Sequence, residues 1–348
     1  MKSTTIPQST MPPRRVSEST ARLDVSYVEC ERLPLALAES AARPMAIVTF
    51  GQTLSGSFPC PVIALDLPQI DGPPVAEVWT SDRPVHIQED SGCAVAMNGD
   101  FLIGSIGLDE RADRSLDDTA YEAYSTMLRR LYDAGYPYLW RVWNYFPRIN
   151  DDQEGLERYR RFCVGRHRAL AETLAEFPSS LPAATAVGTK SGPLQIVFLA
   201  GAQPAAHLGN PRQLNAYEYP QDYGPRSPSF ARATLTRSER ECVLYLAGTA
   251  SVVGHASRHA GLPRQQTEET IQNIQAVLDQ AKHAEGLDLI GTQRQTIYKV
   301  YVRDSSSLPD IRGAIMNTPL SRGHVLFLNG DLCRNELLVE IEGLLISG

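Results

Sequence analysis

The chain is poor in lysine and carries its cysteines far apart. Only four of the 33 basic residues are lysine, so arginine is the ordinary basic residue here and no arginine is singled out for its type alone. The cysteines form no C-x-x-C pair and no dense cluster, which excludes a disulfide-dense scaffold and a zinc finger and is typical of a reducing cytosol. They are Cys30, Cys60, Cys93, Cys163, Cys242 and Cys333.

A long apolar run and an excess of positive charge are also absent. Residues 1–22 are rich in Ser, Thr and Pro, and no apolar stretch follows Arg14 and Arg15, so the sequence predicts neither a signal peptide nor a transmembrane helix. The net charge of −7 and the pI of about 5.6 provide no field that would attract nucleic acid or an anionic membrane. We therefore expect a cytoplasmic protein with a disordered tail at residues 1–24 and with neither nucleic acid nor a membrane as a partner.

The composition is that of a globular protein, and the sequence divides into two halves. Hydrophobic residues make up 43% of the 348, enough for a sizeable core. Residues 178–193, in which Ser, Ala, Pro, Thr and Gly dominate, precede the apolar run 194–200, which is typical of a buried strand. The simplest boundary lies in that stretch. It gives an N-terminal domain at 25–180 and a C-terminal domain at 190–348.

Both halves share an order of elements, in which strands precede a helix, another strand and a second helix. This order predicts an α+β unit used twice, each a sheet with helices packed on one face. The first half is predicted to have strands at 93–97, 101–106 and 138–145 and helices at 118–134 and 156–177. The second half is predicted to have strands at 241–248, 295–302, 325–328 and 337–346 and helices at 267–284 and 308–316.

The closing strand places two carboxylates on one face. Side chains alternate along a strand, so Glu340 and Glu342 lie on the same side as Leu338 and Leu344. One interpretation is an edge strand with solvated charges. The other is a carboxyl group partly desolvated by the leucines, with a raised pKa that lets it carry a proton near neutral pH.

Two further segments carry groups suited to a small anion. The loop at 215–232 combines tyrosines and prolines with Arg226 and Arg232, and arginine binds carboxylates in bidentate fashion. Tyr159, Phe162 and Arg166 share one face of a predicted helix. A Pro-rich surface loop and ordinary core packing are the alternative interpretations of these two segments.

Motifs for metal and phosphate chemistry are missing from the sequence. His255 and His259 are four residues apart, but no H-E-x-x-H pattern or third ligand accompanies them, so we expect no metal site. No P-loop, dinucleotide fingerprint or G-x-S-x-G motif is present.

The residues above carry a resemblance to two related groups. The C-terminal half resembles the RidA/YjgF fold, and two such units in one chain resemble the chorismatase family from about residue 25 onward. The resemblance implies an α+β fold of two RidA/YjgF-like (chorismate mutase-like) domains, each a mixed β-sheet with helices packed on one face. The segments that carry it are 143–150, 159–166, 244–254, the helix through Asn273 and Leu278, and 339–342.

Chorismatases remove the enolpyruvyl group of chorismate as pyruvate, without a metal or an organic cofactor. The resemblance therefore implies chorismate as a small-molecule substrate and no cofactor. Glu340 matches the catalytic acid of the family, which protonates the methylene carbon of the enol ether. The residues implied to fix the substrate are Tyr159, Arg166, Tyr217 and Arg232, with Arg148 and Arg226 as further candidates.

Two residues distinguish the subclasses of this family. The 3-hydroxybenzoate-forming subclass resembles this chain in Cys333 and Gly248, which the resemblance implies as a catalytic and a substrate-binding residue, respectively. The hydrolytic subclass tends to carry Ala at the position of Gly248. The resemblance thus favours cleavage to 3-hydroxybenzoate and pyruvate. It leaves open a mixture with 4-hydroxybenzoate, and hydrolysis to a dihydroxycyclohexadiene carboxylate and pyruvate.

More remote alternatives belong to other classes of protein. A RidA-like imine hydrolase uses an arginine before the glutamate of its closing strand, and Arg334 lies six residues before Glu340 here. A non-catalytic module that binds aromatic metabolites is the other alternative. The sequence leaves open a monomer or a trimer.

Overall fold

The computed structural model describes residues 21–90, 92–111, 113–286 and 293–347. The predicted tail at residues 1–24 lies outside the described residues except at 21–24. Of these, Leu23 and Asp24 already belong to the first strand.

The first sheet of the described residues has four strands and is called sheet 1. Its elements are β1 (Leu23–Glu29), α1 (Leu33–Glu39), β2 (Arg43–Phe50), β3 (Val62–Leu65) and β4 (Val75–Ser81). The strand order is β1-β4-β2-β3. Leu33 of α1 packs against Ile47 and Val78, so the helix covers one face of the sheet.

A six-stranded sheet, sheet 2, follows. Its strands are β5 (His86–Asp90), β6 (Cys93–Met97), β7 (Phe101–Leu108), β8 (Tyr138–Pro147), β11 (Ala183–Thr189) and β12 (Leu194–Gly201). Its helices are α2 (Leu116–Ala134) and α3 (Arg158–Thr173), and the short pair β9 (Asp152–Gln153) and β10 (Leu156–Glu157) precedes α3. The strand order is β11-β8-β12-β7-β6-β5.

Sheet 3 ends the described chain. Its strands are β13 (Ala206–Leu208), β14 (Ala233–Arg237), β15 (Cys242–Ala250), β18 (Gln293–Val302), β19 (His324–Asn329) and β20 (Val339–Ser347). Its helices are α4 (Pro263–Glu285) and α5 (Leu308–Met316), and a small hairpin of β16 (Val252–Val253) and β17 (Ala256–Ser257) precedes α4. The strand order is β13-β14-β15-β20-β18-β19.

The predicted α+β class and the repeated unit are confirmed by the topology. In both six-stranded sheets the last strand inserts at the centre, antiparallel to the third and fourth strands, and the fifth strand lies parallel to the fourth. Sheet 1 repeats the same order without the first two strands. The chain therefore contains two full units and, before them, a partial third.

Strand β12 corrects the predicted division of the chain. The sequence places this apolar run in the C-terminal half, but it pairs with β7 and β8 at the centre of sheet 2. The stretch at 178–193 contains β11, in which every residue is buried. Small residues such as Ala, Thr and Gly have the composition of a linker, and only the pairing with β8 reveals a strand. The connection between sheets 2 and 3 lies at 202–205.

The three sheets enclose one hydrophobic core. It includes Trp79 from β4, Trp143 from β8 and Tyr245 from β15. The rings of Trp79 and Trp143 meet edge to face with centroids 5.7 Å apart, which joins sheets 1 and 2. The helices cover the outer faces. Within the described ranges, no helix combines the length and the apolarity that crossing a bilayer requires.

Helix α3 is held close against α2 at Gly165. A Cβ at this position would collide with the carbonyl oxygen of Asp117. We expect Gly165→Ala to lower the free energy of unfolding by about 1–3 kcal/mol, because the helices must separate to admit the methyl group. Urea unfolding followed by circular dichroism measures this.

The matched control is Gly313→Ala in α5, where the nearest atom to a new Cβ is Arg264 Nη1 at 3.7 Å. This change should be neutral or stabilising by up to about 1 kcal/mol, since alanine favours the helix. Equal effects at the two positions would contradict close packing at Gly165.

Candidate active site

A cavity opens between sheets 2 and 3, at the ends of α3 and β20. It encloses about 630 Å³ of space, a volume that includes open solvent at its mouth. Four segments supply its walls: the start of α3, the loop before β14, the β15–β16 corner and the connection from β19 to β20. The lining residues are Glu157, Tyr159, Arg160, Gln213, Tyr219, Tyr223, Pro228, Phe230, Arg232, Gly248, Ala250, Val252, Cys333, Arg334, Leu337 and Glu340.

Glu340 is the acid of this cavity. Its side chain is 4% exposed, and among the described residues none donates a hydrogen bond to it. Burial, and secondarily the negative charge of Glu342, raise the pKa of Glu340 to about 8, although Arg141 and Arg232 act in the opposite direction. The carboxyl group is therefore protonated at neutral pH, which the solvated edge-strand interpretation does not allow.

Gly248 provides the space that this carboxyl group occupies. A Cβ at Gly248 would collide with Glu340 Oε1 and lie 3.1 Å from Thr185 Cγ2. The pairing of β15 with β20 shifts between Leu246 and Thr249, which brings the backbone at Gly248 towards β11. There its N–H donates to Thr185 Oγ1 at 2.9 Å. In this chain the close approach of β15 to the Glu340 carboxyl group therefore depends on the glycine.

Cys333 lies in the same cavity as a neutral thiol. Burial and the neighbouring Glu340 raise its pKa to about 12. A thiol with such a pKa is not a nucleophile at neutral pH. Its contribution to the cavity is a small, apolar wall beside the acid.

Arg232 provides an anion-binding group. Its Nη2 donates to the Leu214 carbonyl and to the Tyr219 hydroxyl, both at 2.8 Å, and these contacts fix the guanidinium. Its Nε is buried and has no partner among the described residues. A buried donor left unpaired is costly, so a carboxylate bound here would satisfy it.

Tyr159 and Arg166 lie one behind the other on α3. Tyr159 lines the cavity, and burial, followed by the nearby Cys163 and Cys333, raises its pKa well above the ordinary value. Arg166 is 1% exposed, lies over the Phe162 ring and does not line the cavity. Its Nε is also without a partner in the described part of the chain.

Besides Arg166, the structure places three further candidate residues away from the cavity. Tyr217 packs against the core between sheet 2 and its helices, while Arg148 and Arg226 are exposed. Tyr219 and Tyr223 occupy the cavity wall instead. The loop around them is irregular, so no periodicity in the sequence distinguishes one tyrosine from the next.

Arg334 is a cavity residue that sequence reasoning did not assign to the site. Its guanidinium lies over the Tyr223 ring at 4.2 Å and the Tyr219 ring at 5.4 Å. Its Nη1 donates to the His255 carbonyl at 2.9 Å and to Ser257 Oγ at 3.0 Å. Arg334 thus joins the tyrosine loop to the β16–β17 hairpin at the mouth of the cavity.

Glu342 has the opposite environment to Glu340. Its carboxylate accepts from Arg141 Nη2 and Trp143 Nε1, both at 2.8 Å, and lies 3.0 Å from Lys299 Nζ. Burial alone would raise its pKa, but Lys299 and Arg141 outweigh burial and lower it. The two carboxyl groups of β20 are therefore held in different protonation states, the arrangement that distinguishes an acid from a fixed charge.

No group of three or more metal-ligating side chains occurs among the described residues. His255 accepts or donates a hydrogen bond with the Tyr223 hydroxyl at 3.2 Å, and His259 lies 3.2 Å from Glu269. The two histidines thus have separate partners.

The raised pKa of Glu340 makes stability depend on pH. Between about pH 5 and pH 8 this carboxyl group is ionised in the unfolded chain and protonated in the folded chain. Because the folded chain binds the extra proton, the free energy of unfolding falls as pH rises. We expect the stability of the unaltered chain relative to Glu340→Gln to fall by on the order of 1 kcal/mol per pH unit in that window, since glutamine does not titrate. Urea unfolding at several pH values measures the difference, and a difference independent of pH would contradict the protonated state.

The chain is similar in sequence to proteins of known activity. Residues 77–200 match the family model described as chorismatase FkbO/Hyg5-like, N-terminal. A 3-hydroxybenzoate synthase of Streptomyces hygroscopicus is 36% identical over 281 residues, which cover 78% of this chain and 82% of that protein. A chorismatase of the same organism is 38% identical over 276 residues, 77% of this chain and 78% of the other.

A solved structure has the same fold. The crystal structure of a chorismatase superposes with a TM-score of 0.82 at 30% identity and covers 95% of this chain and 99% of its own. The sequence relatives and the superposition each cover more than three quarters of the chain. The chain belongs to the chorismatase family.

Proposed function

We propose that the chain cleaves chorismate to 3-hydroxybenzoate and pyruvate, with Glu340 as the general acid. The observation that carries the proposal is a buried carboxyl group, with a pKa raised to about 8, in the wall of a cavity that Arg232 and Arg334 also line. Relatives named 3-hydroxybenzoate synthase and chorismatase support the substrate. Nothing in the proposed step needs a metal or an organic cofactor, because the acid supplies the proton.

The first step is proton transfer to carbon. Glu340 donates its proton to the methylene carbon of the enolpyruvyl ether, the C=C electron pair forms the new C–H bond, and the ether carbon becomes an oxocarbenium centre. Glu340 is left as a carboxylate near Arg141, Arg232 and Arg303, which stabilise the charge. A positioned general acid of this kind is worth roughly 10²–10⁴-fold in rate.

The second step separates the products. The ring hydroxyl oxygen attacks the neighbouring ring carbon, the bond from that carbon to the ether oxygen breaks, and its electron pair forms the carbonyl group of pyruvate. The hydroxyl proton passes to Glu340 and restores the acid, which leaves an epoxide across the two ring carbons. The original C–O bond of the epoxide then opens, and the attacked carbon loses its hydrogen as a proton to the oxygen, which gives the aromatic phenol. The two products together contain the atoms of chorismate, with no water added. Attack by water on the oxocarbenium centre would give the dihydroxycyclohexadiene carboxylate instead.

The arginines of the cavity suit a substrate with two carboxylates. Arg232 has a free Nε, and Arg334 is held by its Nη1, so both can present donors to an anion. Tyr159 stays protonated and supplies a hydroxyl donor from the opposite wall. Arg166 lies behind Tyr159 and does not line the cavity. We assign it to keeping the Tyr159 side chain in place and to providing a positive charge behind that wall.

Incubation of the purified chain with chorismate, followed by chromatography, tests the proposal. We expect equimolar pyruvate and 3-hydroxybenzoate, and at least a 10²-fold lower rate for Glu340→Gln because the amide cannot donate a proton to carbon. Glu336→Gln is the matched control, since Glu336 is exposed and bonds Ser257 outside the cavity wall.

Each other product has a distinct meaning. Accompanying 4-hydroxybenzoate would identify a mixed product, and the non-aromatic diol would assign the chain to hydrolysis. Unchanged chorismate would refute the enzyme proposal. Activity of Glu340→Gln equal to that of the unaltered chain would refute the role of Glu340.

Gly248→Ala tests the fit between the acid and β15. The new methyl group would displace the Glu340 carboxyl group, so we expect kcat/KM for chorismate to fall by roughly tenfold or more. The control is Gly107→Ala on β7, where the only atom closer than 3.4 Å among the three nearest to a new Cβ is Oε1 of the flexible Gln195 side chain, and Pro193 Cγ lies at 3.7 Å. Unchanged kcat/KM in Gly248→Ala, with Glu340 unmoved in its crystal structure, would contradict the fit.

A further inference from the structure

Four charged side chains meet where the three sheets join. Glu77 lies on β4 of sheet 1, Arg141 on β8 of sheet 2, and Lys299 and Glu342 on β18 and β20 of sheet 3. All four are at most 6% exposed. We call these four residues the ion quartet. It lies outside the wall of the cavity, and the mechanism above does not use Glu77 or Lys299.

The members of the ion quartet form a continuous chain of contacts. Glu342 lies 2.8 Å from Arg141 Nη2 and 3.0 Å from Lys299 Nζ. Lys299 in turn lies 3.1 Å from Glu77 Oε2, and Trp79 Nε1 donates to Glu77 Oε1 at 2.8 Å. Arg141 also donates to Thr185 Oγ1, the atom that accepts from the Gly248 N–H.

The ion quartet is balanced, with two cations and two anions. Buried charges are tolerated only when they are paired, and here each cation has an anion in contact. Glu340 lies two residues from Glu342 on the same buried face of β20. Its ionisation would add a third anion to a set that already sums to zero.

Two further cations near Glu340, Arg303 and Arg232, donate hydrogen bonds to other groups. Arg303 binds Asp331 at 2.9 Å and donates to three backbone carbonyls, and Arg232 donates to Leu214 and Tyr219. The titratable and charged groups that face Glu340 are Glu342 on its own strand, Arg141 on β8, Tyr301 and Arg303 on or after β18, Arg232 before β14, Cys333 and Arg334 before β20, Tyr219 and Tyr223 in the loop, and Glu157, Tyr159 and Arg160 at α3.

We propose that the charge balance of the ion quartet keeps Glu340 in its acid form, and that Glu77 and Lys299 are positioning residues that act on Glu340 through Glu342. The inference deepens the proposed function and rests on it. It also gives sheet 1 a role in the reaction, because Glu77 is its contribution to the balance.

Neutralising one member of the ion quartet should shift the pKa of Glu340 in a direction set by the sign of the charge removed. Glu77→Gln leaves the ion quartet with an excess positive charge, which favours ionised Glu340. The high-pH limb of kcat/KM for chorismate should then move to lower pH by roughly half to one unit. Lys299→Met leaves an excess negative charge and should move the limb to higher pH by a similar amount.

The double variant Glu77→Gln/Lys299→Met restores a zero sum and should return the limb to its original position. Lys299→Arg keeps the charge and should leave the limb in place. Glu268→Gln on the surface of α4, where Glu268 pairs with Arg264, is the control for a remote charge. Loss of packing alone would lower the rate in both single variants without moving the limb in opposite directions.

The same variants have a readout that does not need turnover. Each variant is compared, by urea unfolding at several pH values, with the same variant that also carries Glu340→Gln. The pH range in which this difference in free energy of unfolding changes should move to lower pH for Glu77→Gln and to higher pH for Lys299→Met. The role of the ion quartet would be overturned if the pH limb and the stability profile stay fixed in both single variants. It would also be overturned if Glu77→Gln and Lys299→Met shift them in the same direction as each other. An unaltered chain that leaves chorismate intact would refute the proposed function separately, and the unfolding measurement would still decide this inference.

Either single variant is sufficient if the other does not fold, because the sign of the shift is set by each substitution independently. Folding is checked by circular dichroism and by the unfolding midpoint before the pH series. A folded Glu77→Gln with a limb displaced to higher pH would also overturn the inference.

Discussion

The pairing of Glu342 with Arg141 and Lys299 is the interaction on which the site depends. Two carboxyl groups on one buried face of β20 cannot both ionise without a large desolvation cost. The structure places both cations beside Glu342, so Glu342 takes the charge. Glu340, with no hydrogen-bond donor among the described residues, keeps its proton and a pKa of about 8. The difference between a fixed charge and an acid thus arises from unequal access to two cations.

The architecture explains why those cations are available. Three sheets of related topology enclose one core, and each contributes at least one side chain to the ion quartet. Sheet 1 lacks the first two strands of the unit but retains β4, which carries Glu77. Long irregular connections at the ends of sheets 2 and 3 then form the cavity around Glu340. There Arg232 is fixed by contacts within its own loop, and Arg334 is fixed by its hydrogen bonds to the β16–β17 hairpin. A rigid core therefore sets the protonation, and the connections shape the space for substrate.

Most helices and strands could be predicted from periodicity, including α2, α5 and the strand pair β6 and β7 around Asn98-Gly99. Strand β11 could not, because a buried strand of Ala, Thr and Gly has the composition of a linker. The place of β12 also escaped prediction, since an apolar run gives no information about which sheet buries it. Of the candidate site residues, Tyr159, Arg232, Gly248, Cys333 and Glu340 line the cavity, and their roles stay predictions. The positions of Tyr219, Tyr223 and Arg334 depend on how an irregular loop and a connection turn, which no local pattern in the sequence indicates.

The sequence by itself determined the repeated α+β unit and the shared face of Glu340 and Glu342, because the alternation of a strand is a local property. Only the tertiary structure decided which of the two glutamates carries the proton. That choice depends on partners 201 residues away, in the case of Arg141, and on the backbone of Gly248 lying directly against Glu340. Electrostatic energies depend on the distance in space between two charges, and the separation of two residues along the chain does not determine that distance.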